Sequence, residues 1–241
     1  MALQILKGRI ARYTKKRDVA NFVFTDDDRA TMGVVAIAAS LAGLSGQAIS
    51  TATVAASTEE EADYLEFELE GMPVKGWVWR SPFKEGDEVE VAAEWQEEHY
   101  ELYAAARPID RTLALYPHCS RASKSHWRNI QKWWLQGTSA ILLLGGGMME
   151  VYGRSFYSWS PFFNEKMGAV MVLSFVAFFY PMFALMAWSL GRKWMPFVRL
   201  SEKIFSAFGW KNSASIDLVK RSKELRRKSD PADYGVFYFR Y

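Results

Sequence analysis

The sequence predicts an α+β membrane protein: a small antiparallel β-barrel, OB-like or SH3-like, with a helical insertion, followed by a two-helix transmembrane hairpin. Three observations predict it. Short stretches that alternate polar and apolar residues crowd the first 116 positions, and a period of two marks half-buried strands. Residues 167–190 form an uncharged run of 24, longer than the roughly 20 helical residues that a bilayer core of about 30 Å requires. Charge is also divided along the chain. Residues 58–101 hold 15 Asp/Glu against three Lys/Arg, whereas residues 191–228 hold 11 Lys/Arg against three Asp/Glu. The net charge of +3 is the small remainder of that asymmetry. With 50% apolar and 15% aromatic residues, the chain has ample material for a packed core, which excludes a disordered class.

The first domain covers residues 1–116. Residues 5–12 and 21–24 read as two early strands. Residues 64–70 alternate strictly, with Leu65, Phe67 and Leu69 on one face and Glu66, Glu68 and Glu70 on the other. Residues 75–79 return from a turn at Gly71-Met72-Pro73. Residues 88–93 point Val89, Val91 and Ala93 inward, and residues 100–106 pair back after a turn at 96–99. Five or six short strands in this length suggest a small barrel. Its outward carboxylates Glu66, Glu68, Glu90 and Glu94 form the expected partner-binding face, against the plainer reading of a solvated strand surface. Complementary charge would speed capture of a basic partner.

Residues 30–58 interrupt this pattern with 29 uncharged positions rich in Ala, Ser, Gly and Thr, bounded by Asp26-Asp27-Asp28 and Glu59-Glu60-Glu61. The reading favoured is a non-crossing helical hairpin turning near residues 43–46. A third membrane crossing is the alternative.

A basic juxtamembrane segment, residues 117–132, leads into the hairpin at residues 133–190, with spans at 133–152 and 167–190. Gly145, Gly146 and Gly147 suit close helix–helix contact in lipid. Trp133, Trp134 and Trp159 are placed at the membrane interface. Basic residues flank both spans on the outside of the hairpin, while the loop between them has only Arg154 and Lys166. The positive-inside rule then puts both termini in the cytoplasm. In the tail, residues 191–241, Phe197 and Phe205 fall at helical spacing among Arg199 and Lys203, as in a helix lying along the membrane surface. The basic run 220–228 suits anionic headgroups. The aromatic alternation of residues 234–241 suits an edge strand or a partner-binding segment.

No catalytic chemistry is legible. There is no CxxC, HExxH, phosphate-cradling glycine loop or nucleophile elbow. Structural roles are expected for His99, His118, His126 and Cys119, and no metal or cofactor is expected. The lone cysteine excludes an internal disulfide. The first residues lack the apolar core of a secretory signal. Nucleic acid is disfavoured as a partner because the barrel, despite Trp77, Trp79 and Trp95, is so acidic.

The segments MGVVAIAASLAGLSGQA (32–48) and GMPVKGWVWRSPFKEGDEVEVAAEWQEEHYELYAAARPIDRTLALYPHCSRA (71–122), followed by a Trp-rich entry to the spans, resemble a bacterial family of small inner-membrane proteins labelled type VI secretion system effectors. The resemblance covers most of residues 1–195 and carries no catalytic residues. It implies a Gram-negative inner membrane and interbacterial competition. The expected role is an immunity or accessory factor that acts by binding a toxin or secretion component. The alternative is a secreted, membrane-inserting effector that forms a pore, which would require homo-oligomers because two spans cannot enclose a water path.

Overall fold

The computed structural model describes residues 3–20, 22, 60–157 and 167–241. The expected insertion at 30–58, most of the strand expected at 21–24, and the segment containing Trp159 lie outside them. The chain divides into two units, Met1–Ala122 with Phe197–Tyr241, and Ser123–Pro196.

The first unit contains seven strands: β1 (Gln4–Ala20), β2 (Glu60–Leu69), β3 (Met72–Val78), β4 (Glu88–Gln96), β5 (His99–Arg107), β6 (Thr112–Leu115) and β7 (Tyr238–Arg240). Their order is β3-β2-β1-β4-β5-β6-β7, and β3 also pairs with β5. That extra pairing closes strands 1 to 5 into a barrel. Two expectations are corrected here. The N-terminal strand is one long element, with its first part paired to β4 and the rest to β2. A bulge between Ala11 and Thr14, with Arg12 at φ 52°, bends it between the two neighbours. The barrel is also mixed rather than antiparallel, because β3 and β5 pair in parallel. The direction follows from the shared strand: β2 and β4 both oppose β1, so β3 and β5 both run with it and must meet in parallel. Gly76 sits at this closure. A Cβ there would lie 2.7 Å from the Leu102 carbonyl oxygen, so only glycine lets the two backbones approach.

Two apolar layers hold the unit together. Inside the barrel lie Ile10, Leu65, Phe67, Leu69, Val74, Val78, Val89, Val91 and Leu102. Strands β4 and β5 are rich in alanine, and Ala92, Ala104 and Ala106 on their other face are buried too. What covers them is the tail. Helix α3 (Met195–Ala207) places Ile204 and Phe205, fully buried, against Leu113, Leu115, Leu218 and Phe239. After α3, Gly209 takes φ 72° and the Trp210 N–H donates to the Phe205 carbonyl at 3.0 Å. This left-handed cap folds the Trp210 ring back onto Phe205, with centroids 5.5 Å apart. Phe205 is therefore core rather than membrane interface. Phe197 is partly buried against the same layer. The short helix α4 (Leu218–Glu224) is capped by Asp217, whose side chain accepts from the Lys220 N–H at 3.0 Å. Strand β7 then pairs with β6, so the aromatic tail is an edge strand of this sheet.

The second unit is a pair of helices, α1 (Ser123–Tyr157) and α2 (Met167–Lys193). Among the described residues, α2 is the one helix long and apolar enough to cross a membrane, with a mean hydropathy of 2.2 and none of that stretch buried within the protein. The expected pair of spans is thus corrected to one by this criterion. Helix α1 falls short because Gln136, Thr138, Ser139, the glycine triplet and Glu150 dilute its apolar residues. Polar links tie the helices: the Trp134 indole N–H donates to the Tyr180 carbonyl at 3.2 Å, and the Tyr180 and Ser139 hydroxyls share a 2.7 Å hydrogen bond. The close-packing glycine is Gly191, where a Cβ would lie 2.5 Å from Ile130 Cδ1. At Gly145 and Gly147 a Cβ would meet nothing within 4 Å, so these two glycines do not form the expected seam within the chain. Gly145 and Gly146 instead line an apolar groove of about 290 Å³ with Ile141, Met149, Val172 and Phe175.

Candidate functional site

The four carboxylates expected to form one acidic face are divided by β1. Glu66 and Glu68 lie on β2, Glu90 and Glu94 on β4, and β1 runs between those strands. Three of them are matched by cations on neighbouring strands: Glu68 with Arg12 at 2.6 Å, Glu90 with Lys7 at 2.6 Å and Glu66 with Lys75 at 3.4 Å. Such cross-strand pairs stabilise a sheet surface and reduce its net field. Glu94 is different. Its register partner across β4–β5 is a second carboxylate, Glu101.

Around the other side of the barrel the closure brings two of the four, Glu66 and Glu94, to one face with Glu101 at its centre, a residue that sequence reasoning missed. The β3–β5 closure sets Lys75 beside Glu101, and the β2–β3 register sets Glu66 beside Lys75 and Tyr64 beside Trp77. A charged row, Glu66–Lys75–Glu101–Glu94, thus lies next to an aromatic row. In that second row the Tyr64 and Trp77 rings are 5.0 Å apart, Phe22 is 5.5 Å from Trp77 and 5.6 Å from Tyr116, and Tyr116 is 6.3 Å from Tyr103. His99 approaches Glu101 at 3.5 Å.

The electrostatics show how closely these groups converge. Burial raises the Glu101 carboxyl above the usual glutamate range, against a smaller opposing effect of His99. Burial and then the charge of Glu101 raise the phenols of Tyr64 and Tyr103. Burial, followed by Cys119, Glu101 and Tyr103, pushes Tyr116 up to about 12. Among the described residues, none of these three phenol oxygens has a hydrogen-bond partner. The arrangement offers apolar ring surfaces and several convergent polar groups, the composition of a binding site. It offers no nucleophile paired with a base.

A neutral isostere tests the site's internal cost. The folded-state pKa of Glu101 is raised, so its contribution to stability is fully present in acid and is lost as pH rises through the folded value. Glu101→Gln is expected to melt higher than the natural protein at neutral pH, with the two melting curves converging in acid. A variant that melts lower at neutral pH would mean that the His99 contact outweighs burial.

The remaining predicted residues have structural surroundings. The His118 ring lies between Trp79 at 4.9 Å and Phe197 at 5.3 Å, and its Nε2 is 2.7 Å from Glu60. Burial lowers its pKa despite Glu60. Cys119 is fully buried, its thiol is raised by that burial, and it donates to the Phe197 carbonyl at 3.5 Å, which keeps it inert. His126 Nε2 lies 3.1 Å from the Gly191 carbonyl. Trp133 is 64% exposed, whereas the Trp134 indole is turned to Tyr180 on α2. Among the described residues no group of three or more His, Cys, Asp or Glu could hold a metal ion. Comparison of the chain with family models, with curated proteins and with solved structures returned no match.

Proposed function

We propose that this is a membrane-anchored binding protein whose barrel captures its ligand at the Glu101 face, without turnover. The observation that carries the reading is the convergence of a half-buried carboxylate and phenols that have no hydrogen-bond partner among the described residues on one aromatic row. The strand order 1-2-3-5-4, closed through a parallel pair, favours the OB-like arrangement over the SH3-like one, and in OB barrels the ligand face lies on strands 2 and 3. The anchor is the unit Ser123–Pro196. Helix α2 crosses the bilayer and α1 crosses beside it, its exposed Leu143, Leu144, Met148 and Val151 facing lipid. The basic flanks of this unit support cytoplasmic termini. Within the type VI setting that the sequence resemblance suggests, this architecture suits a resident immunity or accessory factor.

Alkaline carbonate extraction tests the anchor. The protein is expected to stay with the membrane pellet, and a reporter fused after Tyr241 is expected to read as cytoplasmic. Full release into the supernatant, or a periplasmic signal, contradicts this placement.

A further inference from the structure

The N-terminal strand has an edge that the described part of the barrel leaves unpaired. We propose that the far half of β1, residues 11–20, takes up an extended acidic peptide of a partner protein as an additional antiparallel strand. This surface lies within the barrel unit, and the proposal does not rest on the reading of the Glu101 face.

Strand β1 is 17 residues long, and its two neighbours cover different lengths of it. β2 pairs with it from Ile10 to Ala20, whereas β4 pairs with it only from Gln4 to Arg9. Ile10 ends the β4 side: its N–H donates to the Asp87 carbonyl at 3.0 Å, and its carbonyl accepts from the Gly86 N–H at 2.9 Å. Beyond it, among the described residues, no backbone group bonds to the second edge of residues 11–20. Seven of those ten residues are exposed. The stretch Thr14–Ala20, past the bulge, extends about 23 Å at roughly 3.3 Å per residue, enough for a short peptide strand. An edge of unpaired amides and carbonyls is a template for another strand. Charge says which strand fits. β1 carries six Lys/Arg and one Asp, whereas β2 carries five Asp/Glu and β4 three, with no Lys or Arg in either. The strand thus already selects acidic neighbours on both sides, through Lys7–Glu90 at 2.6 Å, Arg9–Glu88 at 3.6 Å, Arg12–Glu68 at 2.6 Å and Arg17–Asp63 at 3.1 Å. At the open edge Lys15 has no ion-pair partner among the described residues. A second copy of the chain fits poorly, because pairing β1 with itself sets Lys15, Lys16 and Arg17 against the same cations. A phosphate backbone would compete with Glu68, Asp18 and Asp63 for Arg12, Lys16 and Arg17, and it would leave the backbone N–H and C=O row unmatched. An acidic peptide answers both the charge and the ladder.

The test uses the full chain in detergent. The probe is a dye-labelled, acetylated and amidated peptide with the sequence of β4, EVEVAAEWQ, followed by fluorescence anisotropy. Saturable binding is expected with Kd on the order of 10 μM at low salt, weakening as salt rises. A peptide with lysine in place of its glutamates is expected not to bind. One N-methylated at alternate residues is expected to lose at least tenfold, because ladder hydrogen bonds carry the contact. Lys15→Glu combined with Lys16→Glu is expected to weaken binding at least tenfold with little change in melting. Should that variant fold poorly, hydrogen exchange on the natural protein decides: amides of residues 14–20 are expected to gain protection when the peptide is added. Absence of saturable binding, binding that survives N-methylation or both charge reversals, or protection gained only elsewhere overturns the proposal. Protection of every amide of residues 14–20 before peptide is added also overturns it, since the chain then fills this edge itself. Concentration-dependent dimers abolished by the same substitutions would assign the edge to a second copy. A thymidine oligonucleotide that binds through Lys15 and Lys16 while the peptide does not would assign it to nucleic acid. Either result contradicts the peptide reading.

Discussion

Phe205→Ala is expected to destabilise the barrel unit by about 3–5 kcal/mol, the range for removing a buried aromatic side chain. Phe205 has no exposure, stacks on Trp210, and lies in the layer built by Ala92, Ala104, Leu113, Leu115 and Phe239. The small alanines leave no bulk that could collapse into the vacated space. A domain of ordinary stability has only about 5–15 kcal/mol to lose, so the melting temperature should fall by about 10 °C or more. β-type circular dichroism followed through thermal unfolding measures this. The alternative placement of this segment on a membrane surface makes the opposite prediction. There the substitution would weaken retention on vesicles and leave barrel melting unchanged.

The second large effect is expected at the closure. In Gly76→Ala the new methyl would lie 2.7 Å from the Leu102 carbonyl oxygen, and the other atoms it meets are the Leu102 amide nitrogen and Cβ, none of which can swing aside. The β3–β5 pair must open by several tenths of an ångström or part. Overpacking of this kind costs about 1–3 kcal/mol, and here it falls on the pairing that holds Lys75 beside Glu101. Gly76→Ala should therefore lower the melting temperature and also disturb the Glu101 face. Gly71→Ala is the control, since a Cβ there meets nothing within 4 Å. Its strain is confined to a turn glycine at φ 81°, so it should cost less. Equal losses from the two substitutions would contradict the closed barrel.

The strands were legible where one face is buried and the other solvated, as in residues 64–70, because alternation records that environment directly. The closure was not legible. It joins residues 74–75 to 100–101 in parallel, a long-range pairing that no local period reports. The tail was misread for a related reason. An amphipathic helix that covers a sheet and one that lies on a bilayer have the same apolar period, and only the alanine-rich outer face of β4 and β5, which the tail buries, distinguishes them. Among the predicted acids, Glu66, Glu68 and Glu90 were correctly placed on strand surfaces, yet their cations come from β1 and β3. Glu101 escaped attention because its significance lies in its neighbours. A usable signal did exist: Tyr64, Trp77 and Tyr103 are aromatic residues at outward strand positions, where charged residues otherwise predominate.

The most direct measurement of the central claim, binding without membrane permeabilisation, is induced expression of the full chain apart from its neighbouring genes, with membrane potential followed by a voltage-sensitive dye. Normal growth and an unchanged potential are expected while the protein accumulates in the membrane fraction. Rapid depolarisation at the same level of membrane-inserted protein would contradict it and would support a pore-forming effector.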